Sequence, residues 1–521
     1  MCMPRSFSAA LTVFIAISTA AQSSSKPDAA TAAWWAQTVA LSNDSMEGRD
    51  TGTEAYERAA KYVANQFQAA DLKPAGDNGT FFQRVPMHQI ALTEEKSFVE
   101  IVNPGGKSVT LHFPTEVTTV PREEASSIEA PLVFLGYGLP SANLDLKGKI
   151  AVYFNNTPAD LPPPDRGAYA GQRLRALAQA GVAAIITIDN PSAIEPFHWP
   201  AAYARSVTLA GSSTPNSDAP VIIRINPASL GPLFSASGHS ATEIVSDGGK
   251  GVPLAAFSLN LSAHIRLTSV SKDISSPNVL AILPGSDPKL APEYVALSAH
   301  LDGYGYGTPV LGDTLYNGTL DDAAYVALLI ELAKNLEHKA PARSLLLCIF
   351  TGEEKGLLGS AYFTQHLTVP KESIIADLNL DQLRPIFPLN ILTMEGLADS
   401  TLGDTVRAVA APFKIEIRPD LEPERNLFRR SDNYNFVRIG VPIAAFVFGY
   451  DKGSPEEAVY RDWYARRYHK PQDDIKTPID WDAAGKFNRF YTALTVAIAN
   501  APARPQWLSS SPYSSHQRAT Q

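Results

Sequence analysis

The sequence predicts an α/β protein in which helices sandwich a mostly parallel sheet and a separate β-rich module is inserted into the chain. Three observations predict it. From about Val270 onward, apolar runs such as EYVALSAH, RSLLLCIFTG and IIADLNLD alternate with helical stretches such as DDAAYVALLIELAKNLEH. Runs that are apolar throughout belong to strands covered on both faces, and their alternation with helices favours a parallel sheet. Between about Glu124 and Ser262 the pattern changes to PLVFLGYG, LKGKIAVYF, GVAAIITI and PVIIRIN, which reads as a self-contained module. Finally, 45% hydrophobic residues in a chain of 521 allow large cores and exclude a fibrous or disordered protein.

The elements follow in order. Residues 1–21 read as an export signal: Arg5 is the positive start, Ala9 to Ile17 is apolar, and small residues follow through Ala21. The apolar run is too short to anchor the chain in a bilayer, so cleavage near Ala20 or Ala21 and a periplasmic or secreted product are expected. Cleavage removes Arg5 and takes the net charge from −9 to −9 − 1 = −10. It also removes Cys2, leaving Cys348 inside SLLLCIF and no internal disulfide. From Thr31 to about Ala70 the apolar spacing is helical, ending at Pro74-Ala75-Gly76-Asp77, and FFQRVPMHQI and SFVEIV read as strands.

Inside the module, RLRALAQA is a short amphipathic helix and Leu161 to Asp165 a Pro-rich loop. Later, LLGSAYFTQH is a short helix, VPIAAFVFG a strand, and Asp482 to Asn500 a closing helix. The expected division is 28–123 and 265–503 for one discontinuous domain, 124–264 for the insertion, and 504–521 for a disordered tail. The segment DKGSPEEAVYRDWYARR, Asp451 to Arg467, reads either as a lid or as a surface loop. The acidic balance, with pI near 5.6 and no long Lys/Arg run, excludes nucleic acid as a partner. No later stretch is long and apolar enough for stable membrane insertion.

Ligands of open α/β sheets gather beyond the carboxyl ends of the strands. There the sequence puts His300 and Asp302 after EYVALSA, Glu353 and Glu354 after SLLLCIFTG, and Asp381 after IIADLNL. Asp321 opens a helix, and His469 follows a late strand and loop. Taken singly, Asp321 could be a helix cap, the glutamates first-turn acids, and each histidine a hydrogen-bonded structural residue. Five such groups, His300, Asp321, Glu354, Asp381 and His469, form a nitrogen and oxygen ligand set suited to two zinc ions with one bridging carboxylate.

These motifs resemble the di-zinc aminopeptidases of the bacterial leucyl aminopeptidase and aminopeptidase Y type, to which glutamate carboxypeptidases are related. The resemblance rests on SAHLD around His300, NGTLDDAAY around Asp321, EEKGLLGS, Asn379-Leu380-Asp381, and Tyr468-His469-Lys470-Pro471-Gln472-Asp473. LKGKIAVYF and AGVAAIITIDNP resemble a protease-associated (PA) domain. What the resemblance implies is a peptidase of the zinc aminopeptidase/phosphorylase-hydrolase fold with two Zn²⁺ per chain. His300 and Asp381 would hold one ion, Glu354 and His469 the other, and Asp321 would bridge them. Asp302 would accept the remaining ring N–H of His300. Glu353 would be the general base for a zinc-generated hydroxide attacking the N-terminal peptide bond. Departures at Asp322, Ala324, Tyr325, Gln382 and Asn433 spare the ligands and bear on substrate preference and the floor of the site. The alternatives are a carboxypeptidase or dipeptidase of the same superfamily and, in a different class, a non-catalytic binding protein on the same scaffold.

Overall fold

The computed structural model describes residues 26–140, 144–193, 205–212 and 219–515. The expected export signal, residues 1–21, lies outside the described residues, as does the end of the expected tail.

Strands with no polar alternation form the centre of the main sheet. Tyr294–His300, Ser344–Phe350, Ile374–Asn379 and Ile443–Gly449 run parallel as neighbours, in the order Ser344–Phe350, Tyr294–His300, Ile374–Asn379, Ile443–Gly449. Beyond Ile443–Gly449 lie Ile391–Glu395, antiparallel to it, and Glu416–Arg418. On the other side, Ser269–Leu283, Phe82–Leu92 and Arg205–Leu209 add antiparallel pairs. The sheet is therefore mixed, with a parallel centre and antiparallel flanks, where the sequence predicts a mostly parallel one. The long Ser269–Leu283 strand decides this, because it arrives directly from the neighbouring sheet without a helical crossover.

Successive residues of these strands face opposite sides of the sheet. Leu345, Leu347 and Ile349 join one core beneath the helices Ala29–Ser42, Glu54–Ala69, Ala324–Leu336 and Trp481–Asn500. Leu346, Cys348 and Phe350 join the other, with Phe363, Phe436 and Trp507. The predicted helical stretch from Thr31 to Ala70 is two helices separated by the turn Asp44–Arg49. Asp28 and Thr53 cap their starts with side-chain hydrogen bonds.

A second sheet has the strand order Ser108–Leu111, Phe98–Val102, Ala256–Leu267, Ser126–Leu135, Ile150–Phe154, Ala184–Ile188, Val221–Ile225, Val117–Thr119. Its hydrophobic residues form their own cores. It begins at Phe98, earlier than the predicted boundary at Glu124, because Phe98–Val102 pairs with Ala256–Leu267. The helix Pro163–Gln179 starts where a Pro-rich loop is predicted, with prolines in its first turn, where the missing N–H costs nothing. Arg205–Leu209 leaves the second sheet's stretch of chain to extend the main sheet.

The expected disordered tail is packed over its described part. Trp507 is buried, donates to the Gly440 carbonyl (3.0 Å) and bridges to Ser400, while Tyr513 stacks on Phe428. The expected lid or loop at Asp451 to Arg467 is mostly the helix Pro455–Arg466, anchored by buried Tyr460, Trp463 and Tyr464. No helix among the described residues is long and apolar enough to cross a membrane.

Candidate metal centre

The parallel strands deliver their acidic and imidazole side chains to one end of the sheet. His300 is the last residue of its strand, Glu353 and Glu354 stand just beyond Ser344–Phe350, and Asp381 just beyond Ile374–Asn379. Asp321 lies in the turn Thr319–Ala323 that opens the helix Ala324–Leu336. That turn depends on Gly318: a Cβ there would lie 2.4 Å from the Asp321 carbonyl, at a φ of +60°. Gly359, in EEKGLLGS, has the same necessity, since a Cβ would lie 2.2 Å from the Thr351 carbonyl.

All the predicted ligands meet. The carboxylate of Asp321 lies between the two imidazoles, Oδ1 3.3 Å from His300 Nε2 and Oδ2 3.3 Å from His469 Nε2. His300 Nε2 is 3.7 Å from Asp381 Oδ1, and His469 Nε2 is 3.5 Å from Glu354 Oε2. Donor atoms of His300, Glu353 and Asp381 lie within 4.8 Å of one another, as do those of Asp321, Glu354 and His469. Three of the facing atoms, His300 Nε2, Asp321 Oδ2 and Asp381 Oδ1, are buried and lack a hydrogen-bond partner. Orphaned polar atoms converging at a buried point are costly unless a cation satisfies them, so the residues fit a metal site.

Charge distribution follows from burial and proximity. Burial, then the carboxylate of Asp381, push the Glu353 carboxyl well above the usual range. Burial raises Glu354 to about 7. Burial would raise Asp321 too, but the imidazoles of His300 and His469 on either side of it outweigh that and hold this carboxylate well below the usual range.

Asp302 corrects one predicted role. The ring Nδ1 of His300 is 3.1 Å from the backbone carbonyl of Asp302 and 3.9 Å from its Oδ1, so the carbonyl is the acceptor that orients the ring. The Asp302 carboxylate instead accepts the backbone N–H groups of Glu353 (3.0 Å) and Glu354 (3.2 Å) and the hydroxyl of Thr51 (3.0 Å). It holds the turn that carries both glutamates.

Several residues that sequence reasoning missed complete the site. The Asp473 carboxylate accepts the N–H groups of Leu320 and Asp321 at 3.1 Å and fixes Asp321; its place in the motif around His469 was the available signal. Fully buried Arg49 donates to the carbonyls of Leu301 (2.7 Å), Leu41 (2.8 Å), Asn317 (2.7 Å) and Gly318 (2.9 Å), tying the His300 strand end to the loop before Asp321. The Tyr304 hydroxyl contacts both Glu354 and His469. Neither Arg49 nor Tyr304 belongs to a motif read in the sequence. Tyr325 is buried against Tyr491 and donates to the Leu378 carbonyl (3.1 Å), so it fills the core, whereas Asp322 follows Asp321 directly and its Oδ1 accepts the N–H of Gln382 (3.3 Å), itself next to Asp381. Gln382 accepts from Tyr464 (3.2 Å), and Asn433 donates to the Phe428 carbonyl (3.1 Å).

A stretch containing every one of these ligands has a family match. Residues 278–495 match peptidase family M28. The chain is similar to aminopeptidase Y of Saccharomyces cerevisiae, with 24% identity over 232 residues, 44% of this chain and 40% of the relative. It is also similar to a probable leucine aminopeptidase 2 of Aspergillus fumigatus, with 26% identity over 203 residues, 38% of each chain. The alignments thus span about two fifths of these curated relatives. Among solved structures, an aminopeptidase from Aneurinibacillus sp. strain AM-1 superposes with a TM-score of 0.57 at 18% identity, covering 92% of this chain and 96% of the other. A zinc aminopeptidase from Bacillus subtilis gives 0.55 at 17% identity, covering 90% and 95%. At that identity the likeness shows the fold alone.

Proposed function

We propose that the chain is a di-zinc exopeptidase that removes N-terminal residues from peptides. The observation that carries this is the Asp321 carboxylate set between His300 and His469, with Asp381 and Glu354 beside them. His300 and Asp381 would hold one ion and Glu354 and His469 the other, with Asp321 placed to serve both. Two imidazoles and three carboxylates suit zinc, and the names of the M28 relatives support peptide hydrolysis. When bound, the two ions supply Lewis acidity at the scissile carbonyl and acidify the attacking water.

The chain's own residues do the rest. Glu353 is buried beside Asp381 and His300, and its raised proton affinity suits a group that takes a proton from the attacking water and passes it to the leaving amine. Asp302 keeps Glu353 in position through its backbone N–H. His300, oriented by the Asp302 carbonyl, presents Nε2 to the cation site. The second sheet is proposed as a protease-associated module on the strength of LKGKIAVYF and AGVAAIITIDNP. Export is proposed from residues 1–21 and is checked by N-terminal sequencing of the mature protein.

The test is hydrolysis of aminoacyl p-nitroanilides beside their N-acetylated forms, with metal content measured on the same sample and on Glu353→Ala. The expected result is two zinc per chain, cleavage that needs a free amine, and a loss on the order of 10²–10⁴-fold in kcat in the variant with zinc retained. Cleavage of blocked substrates from the carboxyl end moves the reading to a carboxypeptidase. Full zinc loading without turnover of any peptide removes the enzymatic reading.

A further inference from the structure

Arg384 follows Asp381 by three positions and is buried, with 2% of its surface exposed. Its guanidinium sits among three rings of the helix Pro455–Arg466, 5.1 Å from the centre of Tyr460, 5.0 Å from Trp463 and 4.9 Å from Tyr464. Among the described residues no carboxylate pairs with it, and its Nε and Nη1 have no hydrogen-bond partner. A buried cation is costly unless something stabilises it, and here the faces of the rings do so. The helix is thus clamped to the loop after Asp381 by a charge that does not titrate, because a guanidinium stays protonated.

From this clamp a run of rings leads to the metal centre. Tyr464 meets Tyr468 at 4.9 Å, and Trp463 meets it at 5.6 Å. Tyr468 is buried, its N–H donates to the Trp463 carbonyl (3.1 Å), and its ring lies on the His469 imidazole with centroids 3.7 Å apart. The two imidazoles of the centre are therefore aimed by different means. His300 has the Asp302 backbone carbonyl 3.1 Å from Nδ1. Among the described residues no backbone carbonyl accepts from His469, whose φ of +52° is uncommon for a residue other than glycine. The Tyr304 hydroxyl meets one edge of its ring, and packing on Tyr468 holds the face.

We propose that Arg384 is a positioning residue for one half of the centre: by clamping Tyr460, Trp463 and Tyr464 it fixes Tyr468, and through Tyr468 it aims His469 at the site shared with Asp321 and Glu354. The inference rests on the two-metal reading above. The other half does not depend on the clamp. Asp381 stands between Leu380 and Leu383, both buried in the main core, and the next N–H, of Gln382, is held by Asp322 Oδ1 at 3.3 Å. Without the clamp His469 loses its support, while His300 and Asp381 keep theirs. Lysine is no substitute, because its ammonium is a compact, strongly hydrated point charge, whereas the planar guanidinium stacks on aromatic faces.

Zinc competition against a chelator, on the full chain, tests this, with circular dichroism to establish that each variant is folded. Wild type is expected to bind two zinc ions, and Arg384→Met to weaken about 10–100-fold the site that His469→Ala lacks, leaving the other unchanged. Its kcat is expected to fall in parallel and to recover in excess zinc. A merely structural role would lower thermal stability and leave both zinc affinities of the folded protein alone. Should Arg384→Met fail to fold, Trp463→Phe and Trp463→Leu pose the same question: the first keeps a ring face and is expected to retain both sites, the second removes it and is expected to weaken one. Unchanged affinities in folded Arg384→Met, equal weakening of both sites, or no difference between the two Trp463 variants overturns the role of Arg384 and leaves the two-metal reading standing. Fewer than two zinc ions bound by the wild type overturns the two-metal reading, and this inference with it.

Discussion

At the residue scale, the centre depends on how each ligand is aimed as much as on which ligands are present. His300 is aimed by a backbone carbonyl, Asp321 by the Asp473 carboxylate accepting the N–H groups of Leu320 and Asp321, and the glutamates by the Asp302 carboxylate accepting their own backbone N–H groups. Asp302 is buried, so its charge is sustained by these donors and by Thr51. Asp302→Asn turns one accepting oxygen into an NH₂ donor facing a backbone N–H. The expected result is a fall of 10–100-fold in kcat/KM together with weaker zinc retention, the size of effect known for groups that orient ligands. Measuring kinetics and zinc content on the same preparation decides it. If both match wild type, the carboxylate does not position the glutamate turn.

At the element scale, the turn Asp44–Arg49 and the strand Ile391–Glu395 carry the less visible constraints. The first breaks what reads as one helical stretch and places Arg49 under the site, where its guanidinium satisfies four backbone carbonyls at helix and strand ends. The second ends in Glu395, buried near Asp420 and Arg425, with Oε1 lacking a partner. Burial, and then the Asp420 carboxylate, raise this carboxyl from the ordinary 4.5 to about 8. Between those values the folded chain binds more protons than the unfolded one, so Glu395 makes stability fall as pH rises through that window. Glu395→Gln removes that slope. Urea midpoints for wild type and variant are expected to differ little near pH ~5 and to favour the variant near pH ~9. Equal differences at the two pH values would mean that Glu395 is not held protonated by the fold.

At the scale of the whole molecule, two sheets with separate cores share one chain, and the main sheet borrows Arg205–Leu209 from within the second sheet's stretch. Arg205 carries that connection toward the centre: it pairs with Asp50 and donates to the Thr51 carbonyl (2.8 Å), and Thr51 in turn donates to Asp302 (3.0 Å). The far face of the main sheet is closed by the C-terminal segment, where Trp507 packs with Tyr513 and the core around Phe436. Trp507→Ala is expected to cost about 3 kcal/mol, the lower end for a large buried aromatic truncated to alanine. Thermal or urea unfolding reads this directly; a loss under about 0.5 kcal/mol would place Trp507 among ordinary surface residues.

The sequence by itself determined the strand and helix alternation and the imidazole and carboxylate positions that meet at one end of the sheet, because fully buried strands need unbroken apolar runs and a metal site needs particular donor atoms at their ends. SLLLCIF, IIADLN and YVALSAH are legible for the first reason, and His300, Asp321, Glu354, Asp381 and His469 for the second. Only the tertiary structure decided the mixed order of the sheet, the start of the second sheet at Phe98, the ordering of residues 504–515, and the parts played by Asp302, Arg49 and Tyr304. Those depend on hydrogen bonds between residues far apart in the chain, Arg49 to Leu301 spanning 252 positions. A side chain whose partners are backbone carbonyls or distant N–H groups leaves no local pattern, since any sequence offers such groups and only folding selects which ones meet.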